Sequence, residues 1–344
     1  MKKNQQVLNK LIKDLKDGNF KYISKAEKEI DWTTYNRAKI NEIHFFITFI
    51  REAVDMAEIE TQKKIGVGRP PKNAYTLAKI ILLQIYFQVP ERQAEGLALL
   101  FKEKLQLNDI PSARSIGRGY NRQDVQEILG KLFEMTHTPI AKKETSFSAD
   151  GSGLSLSIKQ NYANDRDNQD KHAGYDKMAV MISNNFHIAT AFEHRHGTAN
   201  DCPLFEPLIK ATAKEFHQIE TVQLDAGFVS RHNCNLISEV DAIPYIYPKA
   251  GITLNKKGSS AWRSMLETLI ENPQEWLRAY HERSECECYF SAHKRRFTKP
   301  LLKKIKHLRG VEAFCRIICL NICMLITAYF EQRIEVEQFN QAYF

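Results

Sequence analysis

The chain has 344 residues, 43% of them hydrophobic and 26% charged, which is enough apolar material for a sizeable core and too much length for one typical domain. Lys plus Arg number 49 against 41 Asp plus Glu, and the formal net charge of +8 favours a polyanionic partner. Seven cysteines without a paired Cys-x-x-Cys spacing exclude a disulfide framework or zinc ribbon. The polar stretch after Met1-Lys2-Lys3 has no signal-peptide core, and the apolar run Ile317 to Phe330 is broken by Asn321 and too short to span a bilayer. The expectation is a cytoplasmic chain with two or more lobes and no membrane partner.

Residues 1 to about 40, rich in Lys, Asn and Asp, predict a loosely packed helical arm. Ile43, Phe46, Ile47, Ile50, Val54 and Ala57 recur at helical spacing and predict a helix from Asn41 to about Lys63. Gly66-Val67-Gly68-Arg69-Pro70-Pro71-Lys72 breaks it, because two glycines and two prolines cannot continue a helix. Gly68-Arg69-Pro70 resembles an AT-hook clamp, although a linker is the plainer reading. Ala74 to Gln88 predicts a buried helix ended by Val89-Pro90, and Glu91 to Leu105 an amphipathic one. A short helix follows Ile110-Pro111, with Ser112 as its N-cap. Arg114, Arg118 and Arg122 then follow at four-residue spacing, either facing DNA as in a helix-turn-helix or lying on the surface of a bundle. These segments give an arm over 1–64 and an all-α domain over 65–143.

From Phe147 the pattern turns strand-like, and a catalytic domain is expected over 144–334. Ser146 to Ala149 runs into Asp150-Gly151-Ser152-Gly153, a strand ending in a carboxylate with glycines that let backbone approach a ligand. Met178 to Ser183 and Ile188 to Phe192 predict two more strands about a turn at Asn184-Asn185. His194 and His196 stand at a strand end without a nearby third metal ligand. A helix is expected from Asp201 to about His217, with Asn200 or Asp201 as its cap. Thr221 to Leu224 is a short strand ending in Asp225-Ala226-Gly227, and a helix from Ser230 to Glu239 follows. Ala242 to Tyr247 makes an edge strand, since Pro244 cannot donate to a ladder. Residues 250–279 form a small insertion with an amphipathic helix around Trp262, Leu266, Leu269 and Ile270. The long helix Val311 to Phe330, with Cys315, Cys319 and Cys323 as small core residues, is expected to back the sheet.

The stretch Tyr280 to Lys294 carries the densest chemistry. On a continuous α-helix Tyr280, Arg283, Glu287 and Lys294 fall at ~0°, 300°, 340° and 320°, one stripe about 60° wide, while Glu282 and Glu285 point at ~200° and 140°. This Tyr-x2-Arg-x3-Glu-x6-Lys spacing resembles the signature of the DDE transposases of bacterial insertion sequences. The resemblance covers roughly residues 65 to 330. It implies an α/β fold, a ribonuclease-H-like mixed five-stranded sheet flanked by helices, preceded by a helical domain that binds transposon ends or forms dimers. It also implies that Asp150, Asp225 and Glu287 are catalytic metal ligands, with Arg283 and Lys294 against DNA phosphates and Tyr280 donating beside them.

Three carboxylates suit Mg²⁺, with Mn²⁺ as substitute, because a hard cation takes oxygen ligands. Lys294, Arg295, Arg296, Lys299, Lys303, Lys304, Lys306 and Arg309 include no acid between them and read as a phosphate-binding track. Gly151 stands where Ser or Thr is common in the family, and Phe228 where Tyr is common. The expected activity is cleavage at element ends and joining of 3′ ends to target double-stranded DNA, by a homodimer or larger synaptic complex in a prokaryotic nucleoid. Two other readings stay open: a ribonuclease-H-like nuclease or resolvase that cuts without joining, and a catalytically silent DNA-binding relic.

Overall fold

The computed structural model describes all residues except 1, 25–28, 60–69, 157–173, 256 and 344, so Gly68 and Arg69 of the Gly68-Arg69-Pro70 clamp lie outside the described residues. The helices are α1 (Lys2–Lys16), α2 (Trp32–Met56), α3 (Ala74–Phe87), α4 (Glu91–Leu100), α5 (Ala113–Gly119) and α6 (Gln123–Met135), followed by α7 (Phe205–Glu215), α8 (Arg231–Ser238), α9 (Ser260–Glu271), α10 (Pro273–Tyr280), α11 (Ser284–Arg296) and α12 (Lys306–Phe330). The strands are β1 (Ser146–Ser155), β2 (Tyr175–Ser183), β3 (Ala189–His196), β4 (Thr221–Leu224) and β5 (Ile243–Ile246). Helix α2 begins earlier than its apolar spacing predicts, because the Asp31 carboxylate accepts from the free N–H groups of Thr33 and Thr34.

The chain does not divide into simple successive domains. One compact unit gathers the described residues of Met1–Glu29, Ala141–Gly153 and Lys171–Ala292, and the other those of Ile30–Ile140, Leu154–Asp170 and His293–Phe344. The first holds the sheet, in the order β3-β2-β1-β4-β5. β2 pairs antiparallel with β3, whereas β1 with β4 and β4 with β5 are parallel, giving the mixed five-stranded ribonuclease-H-like sheet that the sequence predicts. Met178 to Ile182 are all buried, so β2 reads as a continuous apolar run because both its faces are covered. Helix α7 lies against β2 and β3, and α8, α9 and α10 against β5. Buried Glu144 ties the β2–β3 turn to the start of β1, accepting from the backbone N–H groups of Thr145, Ser146 and Asn185. Helix α1 is docked rather than loose: Gln5 donates to the Ile252 carbonyl at 3.0 Å and accepts from the Leu254 N–H at 2.9 Å.

The second unit is helical. Leu77, Ala78 and Ile80 to Leu83 of α3 are buried, and α2, α4, α5, α6 and α12 pack around them. Helix α12, expected behind the sheet, instead has α2, α3 and α6 as its partners. Its apolar face is broad enough to fill a bundle, and Cys315, Cys319 and Cys323 are buried in it as small core residues. By length and composition α12 could cross a membrane, but its apolar side chains are covered by these helices.

His293 of α11 is buried in this unit, and burial, with Arg316 and Lys294 adding to it, pulls its pKa down to about 3. The unfolded chain takes up a proton near pH 6.5 that the folded chain refuses, so stability present above pH 6.5 is lost as pH falls toward 3. Between pH 6.5 and 5 this residue is expected to cost roughly 2 kcal/mol. Urea unfolding of His293→Gln should show a shallower acid slope than the native protein over that window.

Candidate active site

The parallel register pairs Ala149 with Leu224, so Asp150 and Asp225 follow side by side on adjacent strands. Asp225 leaves β4 at the head of a 3₁₀ turn (Ala226–Phe228) and makes no side-chain capping bond there. Asp150 accepts from the Gly151 N–H at 2.7 Å and is about a quarter exposed. Burial pushes its pKa up to about 6; the Gly151 N–H and Arg283 oppose the rise, and the charges of Asp225 and Asp201 add to it. Such crowding of carboxylates raises a pKa by like-charge repulsion on top of desolvation.

Arg283 brings in the third acid. Its guanidinium lies 3.3 Å from Asp150 Oδ2 and 2.5 Å from Glu287 Oε1. Burial pulls its pKa down, but Tyr280, Glu287 and Asp150 outweigh that and push it up, so it stays charged. Glu287 is the most exposed of the three acids, at 63% of its side chain. Tyr280 is buried and stacks on Trp276 with ring centroids 5.5 Å apart, and Arg283 stands over its ring at 6.0 Å. Burial raises the Tyr280 hydroxyl to about 12, which keeps it protonated as a donor.

The signature is not on one continuous helix. Tyr280 ends α10, His281–Arg283 form a 3₁₀ turn and α11 begins at Ser284. A 3₁₀ turn advances ~120° per residue, so the angles expected between Tyr280 and Arg283 do not hold. Trp276, fully buried, packs between Tyr245 and Tyr280 as a core residue. Glu282 accepts from Ser146 Oγ at 2.9 Å and Glu285 pairs with His187 at 2.6 Å, so both are engaged away from Asp150. His194 is held by buried Asp176 at 2.9 Å.

Asp201 joins this cluster, and sequence reasoning missed it. It was expected to cap a helix, yet it has helical backbone angles and makes no side-chain capping bond. Its Oδ1 lies 2.5 Å from Lys177 Nζ. Asp150 was read as ending its strand, but β1 runs on to Ser155 and holds it mid-strand; Asp225 directly follows β4, and Asp201 stands a few residues past β3, so strand ends alone did not point to it.

In the helical unit the expected DNA-facing cations separate into two kinds. Arg296 is committed to Glu42 at 2.9 Å and covers the Tyr86 ring at 4.5 Å, and Lys303 pairs with Glu91 at 2.5 Å over Tyr120, so the basic run is not one solvent-facing track. Lys294, Arg295, Lys299, Lys304 and Lys306 are exposed, with Lys299 donating to the Gln88 carbonyl at 2.8 Å. Arg114 and Arg118 are exposed on α5, but Arg122 lies beyond that helix and pairs with Asp124. Ser112 precedes α5 without a capping bond; Glu95 takes the Ala113 N–H instead, at 2.8 Å.

The donor set fits a hard divalent cation. Asp150, Asp225 and Glu287 supply only anionic oxygens, Asp201 adds a further charge beside them, and the ion pairs here bring in two cations, Arg283 and Lys177. Burial is the main cause of the raised Asp150 pKa, with the charges of Asp225 and Asp201 adding to it, and a bound cation would favour the ionised carboxylate. Among the described residues no three acids, histidines or cysteines stand at ligand spacing, and Arg283 bridges Asp150 and Glu287.

A family model described as a transposase DDE domain matches residues 136–324. The chain is also 25% identical over 285 residues to a probable transposase for insertion sequence element ISA1214 from Archaeoglobus fulgidus, covering 80% of this chain and 82% of that one. No solved structure matches. The family match takes in β1 to β5, Asp150, Asp225 and Glu287 together, and the chain belongs to the DDE-domain transposases.

Proposed function

We propose that this transposase binds the ends of its insertion sequence, cleaves a phosphodiester at each, and joins the freed 3′ ends to target DNA, with Asp150, Asp225 and Glu287 as ligands of Mg²⁺ or Mn²⁺. The observation that carries this reading is the convergence itself: two carboxylates follow paired positions of adjacent strands, and Arg283 ties the first of them to Glu287. A divalent pair bound there would activate water or a 3′ hydroxyl and stabilise the leaving oxygen of an in-line displacement. No side chain need act as nucleophile, so one site serves both hydrolysis and joining. Arg283, forked and permanently charged, would turn to a phosphate of the DNA once the acids are satisfied, and the protonated Tyr280 hydroxyl would donate beside it. Lys294, Arg295, Lys299, Arg114 and Arg118 would hold the DNA backbone, and a dimer or larger synaptic assembly would process both ends together.

The test mixes purified protein with DNA carrying the ends that flank its gene, a target plasmid, and Mg²⁺ or Mn²⁺. Cleavage at the ends and a joined product are expected, and Glu287→Gln should lose both by at least about 10³-fold. Cutting without joining would make the protein a nuclease. Binding without chemistry in either form would make it a DNA-binding relic.

A further inference from the structure

The side chain of Asp201 is wedged between the backbones that follow two of the proposed ligands. A Cβ built on Gly151 would stand 2.9 Å from Asp201 Oδ1 and 3.1 Å from Lys177 Cε, and one built on Gly227 would stand 3.6 Å from Asp201 Oδ2. Neither glycine has a positive φ, so at 151 the residue is small because the Lys177–Asp201 pair fills the space a side chain would take. Lys177 is itself held, 2.8 Å from the Ala199 carbonyl and 2.5 Å from Asp201 Oδ1, and only 15% of its side chain is exposed. A cap or a solvated surface pair would need none of this: Asp201 makes no capping bond, and its partner is largely desolvated.

We propose that Asp201, with Lys177 as its counter-ion, is a positioning residue of the active site, setting how Asp150 and Asp225 face a divalent cation and how much negative charge that cation meets. The proposal rests on the metal-binding reading of Asp150, Asp225 and Glu287. Removing the charge of Asp201 leaves the cation a weaker field, whereas removing Lys177 uncovers that charge. The two substitutions therefore act in opposite directions on cation affinity.

The experiment measures Mn²⁺ binding to the full chain without DNA, by electron paramagnetic resonance of free Mn²⁺, alongside melting temperatures in EDTA. Asp201→Asn should weaken binding roughly tenfold and Lys177→Met should tighten it severalfold, the direction expected from Coulomb interactions in a partly buried site. Gly151→Ala, which alters no charge but displaces the pair, should weaken binding as Asp201→Asn does, while Gly227→Ala, meeting only ordinary contact, should not. Asp225→Asn is the control for the parent reading and should abolish binding. If that control binds Mn²⁺ as the native protein does, the metal reading fails and this proposal with it. If the control fails to bind but Asp201→Asn and Lys177→Met match the native protein, only this proposal is overturned. It is overturned equally if both variants weaken binding together with a lower melting temperature in EDTA, because the pair would then be holding the fold alone.

Discussion

Asp150→Asn is expected to abolish DNA cleavage and joining, by at least about 10³-fold, while raising the stability of the folded chain in EDTA at pH 7.5. The two effects have one cause. Asp150 sits under burial and beside the charges of Asp225 and Asp201, and its pKa is raised from 3.8 to about 6, so the ionised form is disfavoured in the fold. Between pH 3.8 and 6 the folded chain holds a proton that the unfolded chain has released. Its contribution to stability is therefore full below pH 3.8 and is lost as pH rises to about 6. The ionised carboxylate at neutral pH costs roughly 3 kcal/mol relative to an unperturbed one, and an uncharged amide of the same shape removes that cost. The check is urea unfolding of both forms at pH 7.5 and pH 4. A stabilisation present at the higher pH and absent at the lower one supports the account, and equal stability at both would refute it.

Arg316→Met is expected to destabilise the helical unit by about 3–5 kcal/mol. Arg316 and Glu312 are one turn apart on α12, 2.8 Å from each other, with side chains 6% and 1% exposed. Arg316 also donates to the Lys299 and Pro300 carbonyls at 2.9 Å each, and Glu312 accepts from the backbone N–H groups of Leu302 and Lys303. The pair thereby pins the segment from Lys299 to Lys303 to α12 through backbone groups that have no helix or strand to satisfy them. Replacing the arginine leaves a buried carboxylate without its cation and two carbonyls without donors, which is costlier than losing the whole pair. Urea unfolding should show the full loss in Arg316→Met and a partial recovery in Arg316→Met combined with Glu312→Gln. Recovery is the discriminating result, since simple loss of packing would make the double variant worse.

The sequence by itself determined the family and the sheet. Asp150 and Asp225 are legible as candidates because each follows a short apolar run that the fold makes into paired positions of parallel strands, and strand patterning has a short period that few residues suffice to show. Glu287 and Arg283 are legible because their i, i+4 spacing survives as a direct bond, even though a 3₁₀ turn breaks the helix just before it. Tertiary structure alone decided the rest. Arg296 and Lys303 look like free cations in a basic run, but Glu42 and Glu91, more than two hundred residues away in the chain, claim them. The apolar stripe of α12 announces burial without saying against what, and helices rather than the sheet provide its partners. Asp201 reads as a helix cap until the fold sets it between Gly151 and Gly227, because local pattern records what a residue could bond nearby and not which distant backbone will be folded against it.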